Sequence, residues 1–275
     1  MNYGRTSLRR RAKQLDARGT RIRHKIGVIL GKLLLIGIIV GGCATVSFGV
    51  GALKGILASA PDISEVDVIP TGYSTKVLAA DGSETAKLVA AGSNRQYVTI
   101  DQIPENLQHA VVAIEDERFY DHNGIDLKGI VRALVADVRT RDFSQGASTL
   151  TQQLIKNNVL SEQWANENDS NISKMEKMER QVQRKIQEQY LAIELEKKVN
   201  DKNWILENYL NSINLGSNTL GVQAAAQRYF GKDVSKLTLS ECAVIAGITK
   251  NPAGYNPILH PKENAKRRKN VLDAM

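Results

Sequence analysis

Ile114-Glu115-Asp116-Glu117-Arg118-Phe119-Tyr120-Asp121-His122-Asn123-Gly124 packs four carboxylates, a histidine and two aromatics into eleven residues. It follows directly on the apolar run Ala110-Val111-Val112-Ala113-Ile114. Leu107, Val111 and Ile114 share one helical face, and Pro104 suits a first helical turn. Glu115 comes four residues after Val111, at the rim of that face. A carboxylate at the edge of a core is placed to trade protons with a bound group. An acidic helix end running into a solvated loop reads the same way, so the stretch alone leaves both open.

The net charge of +8 first suggests nucleic acid. Residues 1–25, however, hold nine Lys or Arg against one acid, Asp16, while the remainder carries 28 basic and 28 acidic residues. The basicity belongs to a tail and not to a folded face, which argues against a nucleic-acid partner. Leu33 to Leu53 is uncharged and rich in Leu, Ile, Val and Gly. A helix of that length covers about 30 Å, the thickness of a hydrocarbon core. Residues 1–25 therefore read as a cytoplasmic tail and 26–53 as a single transmembrane anchor, with the remainder outside. Ala58-Ser59-Ala60 as a processing site and Val40-Gly41-Gly42-Cys43 as a lipoprotein box are weaker readings of the same region. Cys43 and Cys242 give no disulfide framework and read as small apolar packers.

Residues 54–100 read as an extended linker and a small β element. Ser74–Leu78 and Thr85–Val89 flank the turn signal Asp81-Gly82, and Gln96 to Ile100 offers a further short strand. From Ile103 the period is helical, giving a mainly α domain over 101–275. Asp126 suits the cap of a second helix carrying Leu127, Ile130, Val131, Leu134, Val135 and Val138. Arg132 sits among them as a surface residue or a ligand contact. Thr140 to Gln145 is a polar loop. Gly146-Ala147-Ser148-Thr149 then opens a helix, either as an ordinary cap or as an anion site at a helix N-terminus. Ser161 to Ser173 is polar and Asn-rich and reads as a mobile loop or lid. Arg184 and Glu188 stand four apart on a long helix, as a surface ion pair or as a carboxylate held charged beside a bound phosphate. Asp201 caps Lys202 to Asn211; Gly231 stops an Ala-rich helix; Thr238 to Glu241 forms a capping box; and the chain ends in a basic helix.

Five stretches stand in order: Glu115-Asp116-x-x-Phe119-x-x-His122-x-Gly124, Gly146 to Gln153, Arg184-Lys185-x-x-Glu188, Lys202-x-x-Ile205-Leu206-x-x-Tyr209-Leu210-Asn211, and Arg267-Arg268-x-x-Val271-Leu272. The set resembles the peptidoglycan glycosyltransferase domain, glycosyltransferase family 51, of class A penicillin-binding proteins and monofunctional transglycosylases, over about residues 95–275. Ala147 and Leu150 are mild departures from the family pattern. The resemblance implies a lysozyme-like α fold that polymerises lipid II on the outer face of the bacterial cytoplasmic membrane by inverting transfer. Glu115 would be the general base on the acceptor 4-hydroxyl and Glu188 would assist at the pyrophosphate. Ser148, Thr149, Gln152, Lys156, Arg184, Lys185, Arg132 and Asn211 would contact substrate. Asp116 would face a divalent cation, Mg or Mn. The implied partners are lipid II, the nascent glycan strand, the membrane and other cell-wall synthesis and division proteins. A glycan hydrolase or lytic transglycosylase would need the acid but not the cations, and an inactive scaffold would need neither. The chain lacks a Ser-x-x-Lys signature and stops inside or just after its last motif, which leaves a monofunctional enzyme open and favours the front half of a bifunctional one.

Overall fold

The apolar run ahead of the acidic cluster forms helix α2, Glu105–Glu115, in the computed structural model, which describes residues 5–64, 68–70, 72–88, 94–140, 148–161, 163–164 and 172–275. Gly146, Ala147, the loop 141–145, Val89 and most of the segment read as a lid lie outside the described residues. The chain divides into two units, Met1–Ala58 and Ser59–Met275. The first is one helix, α1, Arg5–Ala58. Its stretch Ile22–Ala58 has a mean hydropathy of 2.4 over its most apolar window and is long and apolar enough to cross a membrane.

The second unit begins with a hairpin, β1 (Thr75–Leu78) antiparallel to β2 (Glu84–Leu88), with Thr75 opposite Leu88. Gly82 turns it at a φ of +80°. The further strand expected at Gln96–Ile100 does not form. The backbone N–H and C=O of Val98 pair instead with the Asn211 side chain at 3.0 and 2.8 Å, and Ile100 opens a short 3-10 turn. A side-chain amide has replaced a ladder partner.

Helices make up the rest: α3 (Leu127–Thr140), α4 (Leu150–Asn158), α5 (Lys174–Val199), α6 (Lys202–Ser212), α7 (Val222–Phe230), α8 (Leu239–Ile248) and α9 (Pro261–Ala274). Their ends follow the cap residues. Asp201 accepts from the N–H groups of Asn203 and Trp204, Thr238 and Glu241 close a capping box, and Gly231 ends α7 in the left-handed region. The core joins Leu107 and Val111 of α2, Leu154 and Ile155 of α4, Leu191 of α5, Leu206 and Tyr209 of α6 and Ile245 of α8. α8 packs on both α2 and α9, and α4 on both α5 and α6. α8 is buried from Cys242 to Ile248, so it reads as an apolar run and not as a stripe. α3 differs: its Leu127, Val131 and Val135 are exposed.

The acidic stretch turns between α2 and α3. Phe119 is fully buried, and Gly124 takes a φ of +86°. A Cβ at Gly124 would lie 2.6 Å from the backbone of Ala192. The Gly124 carbonyl accepts the Thr149 hydroxyl at 2.7 Å. Glycine is required here because this turn presses on α5 while it anchors the start of α4. The contact fixes the three elements that carry the site.

Candidate active site

Glu115 is the last residue of α2, and its carboxylate meets two neutral donors. Thr249 Oγ1 donates to Oε1 at 2.6 Å and Gln153 Nε2 donates to Oε2 at 3.1 Å. The Gln153 carbonyl oxygen accepts the Tyr209 phenol at 3.2 Å, which orients the amide. Tyr209 is buried, and burial first, then Glu115 and Asp116, hold its phenol well above the ordinary range. It therefore stays a donor.

Glu188, on α5, is buried in an opposite setting. Arg184 Nη1 donates to its Oε1 and Lys185 Nζ to its Oε2 at 3.1 Å. Lys185 also donates to Ser148 Oγ at 2.7 Å and Gln152 Oε1 at 2.8 Å. Burial holds the Lys185 ammonium below the usual lysine range, and Glu188 pulls the other way. Both carboxylates line one cleft of about 780 Å³. Ser148, Gln152, Lys156, Arg184 and Lys185 stand around it, joined by Gln153, Thr249, Lys250 and Arg267. One wall thus carries a carboxylate among neutral donors, and another carries a carboxylate within a cationic cluster. A cleft so built can take a proton at one end and hold a polyanion at the other.

Of the expected substrate contacts, Asn211 and Thr149 serve as internal supports, and Arg132 stands at a recess beside the cleft. Asn211 is 1% exposed, and its amide bonds the Val98 backbone and the Glu207 carbonyl, so it is a brace. Thr149 is buried as the α4 cap: it accepts from the Gln152 N–H and donates to Gly124. The Leu150 N–H is given to Asp116, so two first-turn donors of α4 are taken up within the chain, and Gly146 and Ala147 of the expected anion site lie outside the described residues. Arg132 pairs with Glu117 at 3.4 Å beside a small recess that also touches Glu115 and Ser148.

Asp116 does not fit the cation role. Both of its carboxylate oxygens lie 3.0 Å from His122 Nε2, and Oδ2 also accepts the Leu150 N–H at 3.0 Å. Its side chain is 3% exposed. The carboxylate assigns the His122 proton to Nε2, and Nδ1 has no partner among the described residues. Among the described residues no group of three or more His, Cys, Asp or Glu is set to hold a metal ion.

Sequence reasoning missed Thr249 and passed over Gln153. Thr249 sits 134 positions from Glu115, just past an apolar helix, where no local pattern marks it. Gln153 stood in the quoted motif, but only the fold aims it at Glu115 while its neighbour Gln152 faces Lys185.

A family model described as Transglycosylase matches residues 81–275. The chain is 46% identical over 181 residues to penicillin-binding protein 1A of Aquifex aeolicus, covering 66% of this chain and 23% of that protein. It is 38% identical over 257 residues to penicillin-binding protein 1A of Clostridium botulinum, covering 90% of this chain and 28% of that one. A crystal structure of penicillin-binding protein 1A from Haemophilus influenzae aligns at a TM-score of 0.37 with 25% identity, over 75% of this chain and 18% of that one. The chain thus spans about a quarter of the length of the curated relatives it matches. Since the matched residues take in both carboxylates, the cationic cluster and Thr249, the chain belongs to the transglycosylase family.

Proposed function

We propose that this chain is a membrane-anchored peptidoglycan glycosyltransferase that extends glycan strands from lipid II. The observation that carries the reading is the pairing of two carboxylates in opposite settings on one cleft. Glu115, held by Thr249 and Gln153, takes the proton of the acceptor 4-hydroxyl. The freed oxygen attacks the donor anomeric carbon with inversion, and the bond to the pyrophosphate breaks. The leaving pyrophosphate takes the electron pair into the cluster of Lys156, Arg184 and Lys185. Such a leaving group needs positive charge more than a proton. Glu188 keeps Arg184 and Lys185 aimed at it. A plain glycan hydrolase has no use for that cluster.

The substrate class also fits the surface. Leu127, Val131 and Val135 leave an exposed apolar face on α3, whose Gly129, Arg132 and Ala133 border the recess beside Glu115. An exposed apolar patch at a site rim suits a lipid-linked sugar. The basic tail ahead of the apolar helix supports a cytoplasmic N-terminus and a cleft outside. A polyprenyl substrate never leaves the bilayer, so an anchor raises its encounter frequency. The whole protein's further activities and its cell-wall and division partners fall under the same reading.

Labelled lipid II supplied to the full chain in detergent or bilayers tests it. Glycan strands should form with wild type and fall by about 10²- to 10⁴-fold with Glu115→Gln. A Glu115→Gln protein polymerising at the wild-type rate, or release of cut glycan from finished peptidoglycan, would overturn it.

A further inference from the structure

The hydroxyl of Thr249 faces two acceptors and carries one proton. Its Oγ1 lies 2.6 Å from Glu115 Oε1 and 2.8 Å from the carbonyl oxygen of Ala246. Ala246 is among the last four carbonyls of α8, the group a helix leaves without intrahelical partners. Its oxygen is thus a second place for the Thr249 proton to point.

The two oxygens of Glu115 differ in this respect. Oε2 meets an amide N–H of Gln153 whose orientation is set by Tyr209. An amide nitrogen donates and does not accept, so that contact serves Oε2 only as an acceptor. Oε1 meets a hydroxyl, which can donate or accept.

We propose that Thr249 is a positioning residue that reverses its hydrogen bond when Glu115 changes protonation state. This rests on the reading of Glu115 as the base. With Glu115 ionised, Thr249 donates to Oε1. On attack the acceptor O–H bond breaks and an O–H bond forms at Oε1. The new Oε1–H donates to Thr249 Oγ1, and the Thr249 proton turns to the Ala246 carbonyl. Thr249 keeps its own proton throughout, and the pyrophosphate leaves with the electron pair of the broken glycosidic bond. Both states of the base keep a full set of partners, and the carboxyl group does not move between them. A fixed donor at that position, such as a lysine, would favour the ionised state alone.

Thr249→Val keeps the shape and removes the hydroxyl, while Thr249→Ser keeps the hydroxyl. In steady-state lipid II polymerisation by the full chain, Thr249→Val should lower kcat roughly tenfold to a hundredfold, with KM within about twofold. Thr249→Ser should stay within about threefold of wild type. In a Glu115→Gln background, Thr249→Val should add little, because the pair acts as a unit. If Thr249→Val fails to fold, Thr249→Ala serves in its place. A wild-type kcat for the hydroxyl-free variant, equal losses in the Val and Ser variants, or additive losses with Glu115→Gln would each overturn the proposal. If Glu115→Gln is inactive while Thr249→Val is normal, only the role of Thr249 falls. If Glu115→Gln polymerises normally, the base reading falls and takes the proposal with it.

Discussion

Lys185 Nζ donates to Ser148 Oγ at 2.7 Å, bridging α5 to the residue just before the α4 cap. The same nitrogen reaches Gln152 and Glu188, so three acceptors fix one ammonium in the cleft wall. This is a charge held in place before an anion arrives.

Its titration gives the first prediction. Burial lowers the Lys185 pKa, so its charge is lost at lower pH than that of an exposed lysine. Binding of a pyrophosphate-linked lipid should weaken as pH rises through that lowered value. Lys185→Arg should remove this alkaline limb, because guanidinium keeps its proton there. Stability should move the other way. Between the lowered folded value and the ordinary one the unfolded chain holds more of this proton, so the group's contribution to stability rises with pH. Binding titrations and thermal melts across the alkaline range check both signs. A binding limb that persists in Lys185→Arg assigns it to another group.

Lys202 carries a structural charge. Its Nζ meets Glu196 Oε2 at 2.6 Å and the His122 carbonyl at 2.6 Å, and lies 4.6 Å from the Phe119 ring centre. Glu196 is buried and also accepts the Thr151 hydroxyl at 2.6 Å. Lys202→Met should leave that carboxylate unpaired and destabilise the fold by about 3–5 kcal/mol. Adding Glu196→Gln should recover part of the loss. Denaturant melts of the single and double variants measure it, and equal stability of Lys202→Met and wild type would refute it.

Asp116 offers a separation between a metal ligand and a brace. Asp116→Asn turns one acceptor oxygen into a donor beside His122 Nε2–H. The imidazole can then move its proton to Nδ1, where no partner is found among the described residues. Either tautomer leaves an unsatisfied buried group, at a cost of about 1–3 kcal/mol. The melting temperature should fall, and any dependence of the rate on added Mg or Mn should match wild type. A lost cation dependence at unchanged stability would restore the metal role.

The helix pattern was legible because caps and apolar periods are local. Asp201, Gly231 and the Thr238–Glu241 box each mark an end that the backbone obeys. The pair Arg184 and Glu188 was legible for the same reason, being one turn apart on one helix. What failed to show was long-range. The Gln96–Ile100 stretch has strand composition, yet its hydrogen bonds go to a side chain more than a hundred positions away. Asp116 looks like a solvated ligand in a run of acids, but its neighbours in space, His122 and Leu150, close it off. Gln152 and Gln153 are indistinguishable in sequence, and a hundred degrees of helical rotation sends one to the Lys185 ammonium and the other to the Glu115 carboxylate.

Asn211 separates burial from binding most cleanly. Its Oδ1 accepts the Val98 N–H at 3.0 Å, and its Nδ2 donates to the carbonyls of Val98 and Glu207, each at 2.8 Å. Asn211→Leu keeps the volume and strands two buried groups of Val98. At about 1–3 kcal/mol for each orphan, the loss should be roughly 2–6 kcal/mol. For a unit of this size that lowers Tm by roughly 4–24 °C. The KM for lipid II should stay within about twofold, since the side chain does not line the cleft. Thermal melts and steady-state kinetics below the lowered Tm decide the matter. A normal Tm with a raised KM would return Asn211 to the substrate site.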